Sequence, residues 1–158
     1  WTAVSTVSVH LPGKPWANVR SMADGTGQNS TGLPVMYLPT PDPSSIDIAA
    51  DAHCALSFSE AALPQRLTGK GTCGGMDSED PTCARLVLSG KLRALSTQAE
   101  INQAMIDLGE RHPKAPWLAQ GGAHTGGKYF QLDLASLSFL DTYGGFAKLS
   151  VADYLAGK

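Results

Sequence analysis

Groups that can bind a phosphate lie close together early in the chain. Arg20, in Asn18-Val-Arg-Ser-Met22, offers a guanidinium, and the hydroxyl of Ser21 follows it. The run Leu38-Pro-Thr-Pro-Asp-Pro-Ser-Ser45 adds Thr40, Ser44 and Ser45 at what reads as the start of a short helix. A guanidinium, hydroxyls and the free amides of a helix N-terminus are the donors that a phosphate takes up. The competing reading is structural, with Arg20 on an exposed strand face and Ser44 and Ser45 capping the helix.

A second constellation is Cys73-Gly-Gly-Met-Asp-Ser-Glu-Asp-Pro-Thr-Cys83. Turn formers fill the interval, so the chain can fold back and the two sulfurs can meet as a disulfide rather than remain free thiols. A zinc site would need two further ligands nearby, and the C-x₂-C spacing is missing. Cys54, in Ala52-His-Cys-Ala-Leu-Ser-Phe58, reads as a small buried hydrophobe. Asn29-Ser-Thr31 is an N-glycosylation sequon in a polar, glycine-rich loop, and with the spaced cysteines it points to an exported protein.

Other chemistry is not legible. His10, His53, His112 and His124 have no metal spacing, and His112 closes a helix, where a cation complements the dipole. His124 lies in a glycine-rich stretch that reads as a linker. Gly-Thr-Gly at 25–27 and Gly-Lys-Gly at 69–71 lack the continuation of a phosphate loop. Asp77, Glu79 and Asp80 read as a solvated loop face, without the ligand pattern of a calcium loop. No Ser, His and Asp set stands out.

The elements that must position these groups are mostly strands. Trp1–Leu11 and Trp16–Ala23 read as strands joined by a turn at Pro12-Gly13, and Leu33–Leu38 as a central strand with Pro34 at its first position. A short helix capped by Ser44-Ser45 runs to about Asp51, and Ala52–Ser59 returns as a strand. Residues 60–82 are irregular, pinned by the cysteine loop. Ala84–Leu95 is the longest strand candidate. Thr97-Gln-Ala-Glu100 is a capping box ahead of Ile101, Ala104, Met105 and Leu108, so a helix runs to His112-Pro113. Lys128–Leu134 and Leu137–Tyr143 read as a hairpin, and Ser150-Val-Ala-Asp153 caps a short terminal helix. A strand meander broken by one short and one longer helix predicts a small β-barrel with helices outside.

The chain has 158 residues and a formal net charge of −2, which fits one domain, residues 1–158, and gives no electrostatic case for nucleic acid. No apolar run approaches the length of a membrane-spanning helix. The abrupt opening on Trp1-Thr-Ala-Val, already strand-like, leads us to expect that the true N-terminus is missing.

The order of segments resembles the CREG family, the secreted glycoproteins named cellular repressors. That family lies within the FMN-binding split-barrel superfamily related to pyridoxamine 5′-phosphate oxidase. The resemblance rests on Pro15-Trp-Ala-Asn-Val-Arg-Ser-Met-Ala-Asp-Gly25, Gly32-Leu-Pro-Val-Met-Tyr-Leu38 and Ala55-Leu-Ser-Phe-Ser-Glu60. Further on it rests on Asp80-Pro-Thr-Cys-Ala-Arg-Leu-Val-Leu-Ser-Gly-Lys-Leu92, Arg111-His-Pro113, Leu140-Asp-Thr-Tyr-Gly-Gly145 and Ser150-Val-Ala-Asp-Tyr154. It covers nearly the whole chain, and the Asp-Pro-Thr-Cys block is its most specific part.

The resemblance implies a six-stranded split barrel that pairs as a homodimer, in a secreted, lysosomal or vacuole-like location. It also implies a barrel that has lost redox catalysis and acts through protein or glycan-receptor contacts. The alternative is an FMN-dependent oxidoreductase whose flavin phosphate is held by Arg20, Ser21, Thr40 and Ser45. The Gly-Gly-Phe at 144–146, similar to flavin-binding bacterial relatives, points that way. Val35, Tyr37 and Phe58 are the expected apolar patch of the dimer face.

Overall fold

The computed structural model describes residues 1–26, 29–63, 72–115 and 126–157. Among them, eight strands form one antiparallel sheet: β1 (Thr2–Val7), β2 (Pro15–Arg20), β3 (Met22–Ala23), β4 (Val35–Leu38), β5 (His53–Ser59), β6 (Arg85–Ala94), β7 (Lys128–Leu140) and β8 (Ala147–Leu149). Their order is β2-β1-β5-β6-β7-β4-β3, with β8 also paired to β7. The expected six strands are the six longer ones. The one-residue break at Ser21 separates β3 from β2, and the return after Gly144-Gly145 adds β8.

One row of cross-strand partners shows how the sequence fills the barrel. Val4 faces Leu56, Leu56 faces Leu88 and Leu88 faces Leu137, and all four are buried. Met36, Leu38, Ile48, Cys54, Leu92 and Leu132 complete this core. The free thiol of Cys54 lies inside it, where burial pushes its pKa up to about 11, so it acts as a hydrophobe.

The expected hairpin at residues 128–143 is instead one strand of 13 residues. A bulge explains the misreading. Ser89 pairs with Ser136, but Gly90 pairs with Leu134, so Ala135 is the extra residue. That insertion changes the phase of the alternation, so that Leu132 and Leu137 are both buried although an odd number of positions separates them. The phase change looks like a turn in the sequence. Gly90 is required at the bulge, since a Cβ there would lie 2.1 Å from the Asp133 carbonyl oxygen.

Among the described residues three α-helices flank the sheet: α1 (Pro43–Ala50), α2 (Gln98–Arg111) and α3 (Val151–Ala156). The capping boxes expected for α2 and α3 begin at Thr97 and Ser150, with Thr97 Oγ1 accepting from the Glu100 amide at 3.2 Å and Ser150 Oγ from the Asp153 amide at 3.0 Å. Helix α1 departs from the expectation. Its cap is Asp42, whose carboxylate accepts from the Ser44 amide at 2.8 Å, while Pro43 opens the first turn. Proline is preorganised for that position and has no amide to satisfy there, so the cap falls before it and not at Ser44-Ser45.

Helix α2 lays Ala104 and Leu108 over Ala23 and Val35, with Tyr37 and Tyr129 at the margin of the contact. This corrects the expected dimer patch. Val35 is buried and Tyr37 half-buried in that cluster, and Phe58 packs against the main core. The outer face that is left open lies elsewhere. Ala17, Ser5, Ala55, Ser89 and Ser136 form one row across five strands, and Val19, Ala3, Ser57, Val87 and Ser138 form the next. Directly opposed residues share a face of the sheet, so these ten uncharged side chains lie together, with Lys148 opposite Ser138 at the end of the second row and Arg85 and Lys91 in the flanking rows.

Candidate functional site

Arg20 ends β2 beneath the N-terminus of α1. Its Nη2 donates to Asp42 Oδ1, and to Ser44 Oγ at 3.2 Å, a hydroxyl that also accepts from Trp16 Nε1 at 3.3 Å. The ion pair is mostly sealed from water, its side chains being 13% and 17% exposed. The same Asp42 oxygen takes the Ser44 amide, so one carboxylate collects both the guanidinium and a free helix N–H. Arg20 Nε is buried with no hydrogen-bond partner.

The other predicted phosphate ligands are placed differently. Ser45 Oγ donates to the Pro39 carbonyl at 2.6 Å, and Thr40 Oγ1 donates to the carbonyl of Gly126. Ser21 sits half-buried in the break between β2 and β3. The structure thus brings Arg20 to the head of α1, while Ser45 and Thr40 hold backbone. A flavin phosphate set on Arg20 and the Ser44 amide would have to displace the Asp42 carboxylate and meet its charge. The residues as arranged do not fit that group.

Next to this pair lies a network that sequence reasoning missed. Asp47, on α1, has no exposure and accepts from Thr6 Oγ1 at 2.7 Å, the Val9 amide at 2.9 Å and His10 Nδ1 at 3.0 Å. Burial alone would raise its pKa. The hydrogen bonds from His10, Val9 and Thr6 outweigh that cost and hold it at about 2. Ser8 Oγ also meets His10 Nδ1, at 3.1 Å. A nucleophile relay needs hydroxyl and carboxylate on opposite ring nitrogens, and here both face the same one. His10 Nε2 is buried and unpartnered, and the ring packs edge-on to Trp16 with centroids 4.7 Å apart. The trio is a structural tie between β1 and α1.

Cys73 and Cys83 are joined as a disulfide with their Cα atoms 4.4 Å apart. Glu60 secures the base of this loop, its carboxylate accepting from the Cys73 amide at 3.0 Å and the Ala84 amide at 3.3 Å. Asp77 and Asp80 bond amides of their own loop, from Glu79 at 2.8 Å and Thr82 at 2.9 Å, and no metal-holding cluster occurs among the described residues. His112 meets the Met22 carbonyl through Nε2 at 2.9 Å, fastening the end of α2 to β3. Asn29 is exposed, and Ser30 and Thr31 bond to Asp24. His124 and the 69–71 glycines lie outside the described residues.

A cleft of about 890 Å³ opens elsewhere, between the start of β1, the end of β5 and the C-terminal end of α2, with Met22, Asp24, Phe58, Asp107 and His112 on its wall. None of the four predicted phosphate ligands lines it.

A family model described as CREG, beta-barrel matches residues 1–156. Protein CREG2 of Homo sapiens is 32% identical over 115 residues, covering 72% of this chain and 38% of that protein. Protein CREG1 of Gallus gallus is 25% identical over 159 residues, covering 98% and 78%. The chain therefore spans well under half the length of the CREG2 relative. A heme binding protein from Mycobacterium smegmatis superposes with TM-score 0.71 at 16% identity, over 98% of this chain and 54% of that one, which is a likeness of fold.

Proposed function

The chain belongs to the CREG β-barrel family, and on that premise we propose that it is a non-catalytic glycoprotein that works by binding other proteins. We place it outside cells or in a lysosome- or vacuole-like lumen, as a two-fold homodimer. The observation that carries this reading is the uncharged outer face across β2, β1, β5, β6 and β7. Val19 is 59% exposed on it and Val7, beside it, 53%. Rows of small neutral side chains let a second sheet approach closely and cost little charge desolvation when covered, with the cations Arg85, Lys91 and Lys148 left at the margin.

Two further features support the reading. The Cys73–Cys83 bridge and the exposed Asn29 sequon suit an oxidising, glycosylating compartment. The polar groups of reactive type, Arg20, Thr40, Ser45 and His10, each hold a partner within the chain.

Light scattering on the purified protein tests the dimer, with Ala55→Arg in the centre of the face as the control. We expect a dimer at micromolar concentration and a folded monomer for the variant, since the arginine points to solvent when the face is uncovered. A monomeric parent protein would remove this reading of the face. Intact mass before and after enzymatic deglycosylation of protein from its own source tests Asn29, and an unchanged mass would count against the proposed compartment.

A further inference from the structure

The head of α1 has the makings of an anion seat, and the chain fills it itself. Arg20 supplies a nearly buried guanidinium, Ser44 a backbone amide and a hydroxyl, and the first turn of α1 carries no acid of its own. The guanidinium and the amide converge on the Asp42 carboxylate, while the Ser44 hydroxyl accepts from Arg20 and Trp16. We propose that Asp42 is a specificity-determining residue that closes this seat to phosphate monoesters, as a tethered anion standing where a ligand phosphate would otherwise sit. The inference rests on the non-catalytic reading above and adds the residue responsible for it.

The physical argument is competition on one set of donors. A carboxylate fixed by its own backbone loses almost no further freedom when it pairs, whereas a free phosphate gives up its translational freedom to do so. The phosphate would also have to approach an existing negative charge in a site mostly withdrawn from water, where repulsion is weakly screened. Neutralising Asp42 reverses both effects. It leaves Arg20 with an unpartnered Nε and an Nη2 held only by Ser44 Oγ, under a helix N-terminus, an arrangement that favours an incoming anion.

The test is a fluorescence titration of FMN, with riboflavin and inorganic phosphate as controls. It compares the parent chain with Asp42→Ser, Asp42→Asn and the double variant Asp42→Ser/Arg20→Gln. Serine and asparagine both cap helices well, so α1 keeps its cap in each single variant and either one can carry the experiment if the other folds poorly. We expect both single variants to bind FMN about tenfold or more tightly than the parent, the scale of regaining a charge-assisted hydrogen bond. Inorganic phosphate should compete, riboflavin should gain nothing, and the double variant should lose the gain. Single variants that bind FMN no better than the parent, whether all bind or none do, would overturn the proposal. Tight binding by the parent would speak separately, against the non-catalytic reading, so the two failures are distinguishable.

Discussion

Asp47 shows what single residues contribute and how little of it is visible in sequence. Its donors come from Thr6, Val9 and His10, the last 37 positions away, and no local pattern links them. Removing the charge with Asp47→Asn should cost about 2 kcal/mol at neutral pH, since three hydrogen bonds to a carboxylate become bonds to a neutral amide. The pH dependence has a definite sign. Its pKa falls from 3.8 to about 2 on folding, so its contribution is complete above the unfolded value and is lost as pH falls through the folded one. Urea unfolding should therefore show a constant gap between parent and variant down to about pH 4, closing below it. A gap that persists unchanged at about pH 2 would contradict this account of the site. Arg20, by contrast, was legible as a functional candidate from its residue type and neighbours. Its actual partner is hidden because Asp42 stands between two prolines, ahead of the serines that look like the helix cap.

Strands and helices were the most legible layer, and the exceptions have local causes. The caps before α2 and α3 carry their own hydrogen-bond logic, and both appear at the expected residues, as a full capping box at Thr97 and a serine cap at Ser150. The single strand β7 was misread as a hairpin because its inward positions change parity at Ala135, and a bulge cannot be told from a turn without its partner strand. Gly90 on β6 makes that bulge possible. Gly90→Ala should cost about 2–3 kcal/mol, because the new methyl must push the Asp133 carbonyl out of the ladder or break the pairing beside it. Thermal unfolding checks this, and a variant as stable as the parent would mean that the bulge can relax around a side chain. The early cap of α1 belongs to this scale too, since it is what brings the Asp42 carboxylate to the guanidinium beside Ser44 Oγ.

The barrel as a whole was legible through the order of its segments and not through any one of them. Resemblance located the family, while periodicity alone reached only a small β-barrel with external helices. The proposed docking surface is not legible in the sequence. Val35 and Tyr37 are apolar and sit on a strand, but α2 covers them, and a sequence cannot say which face of a sheet a distant helix will choose. The face that stays open is built from serine, alanine and valine, residue types too ordinary to draw notice singly. The proposed function, a binding protein and not a flavin enzyme, is a claim about the whole molecule. The direct measurement of that claim is an absorbance scan of the purified protein after incubation with FMN and desalting. The account predicts a colourless protein; flavin absorption retained near stoichiometry and abolished by Arg20→Ala would contradict it.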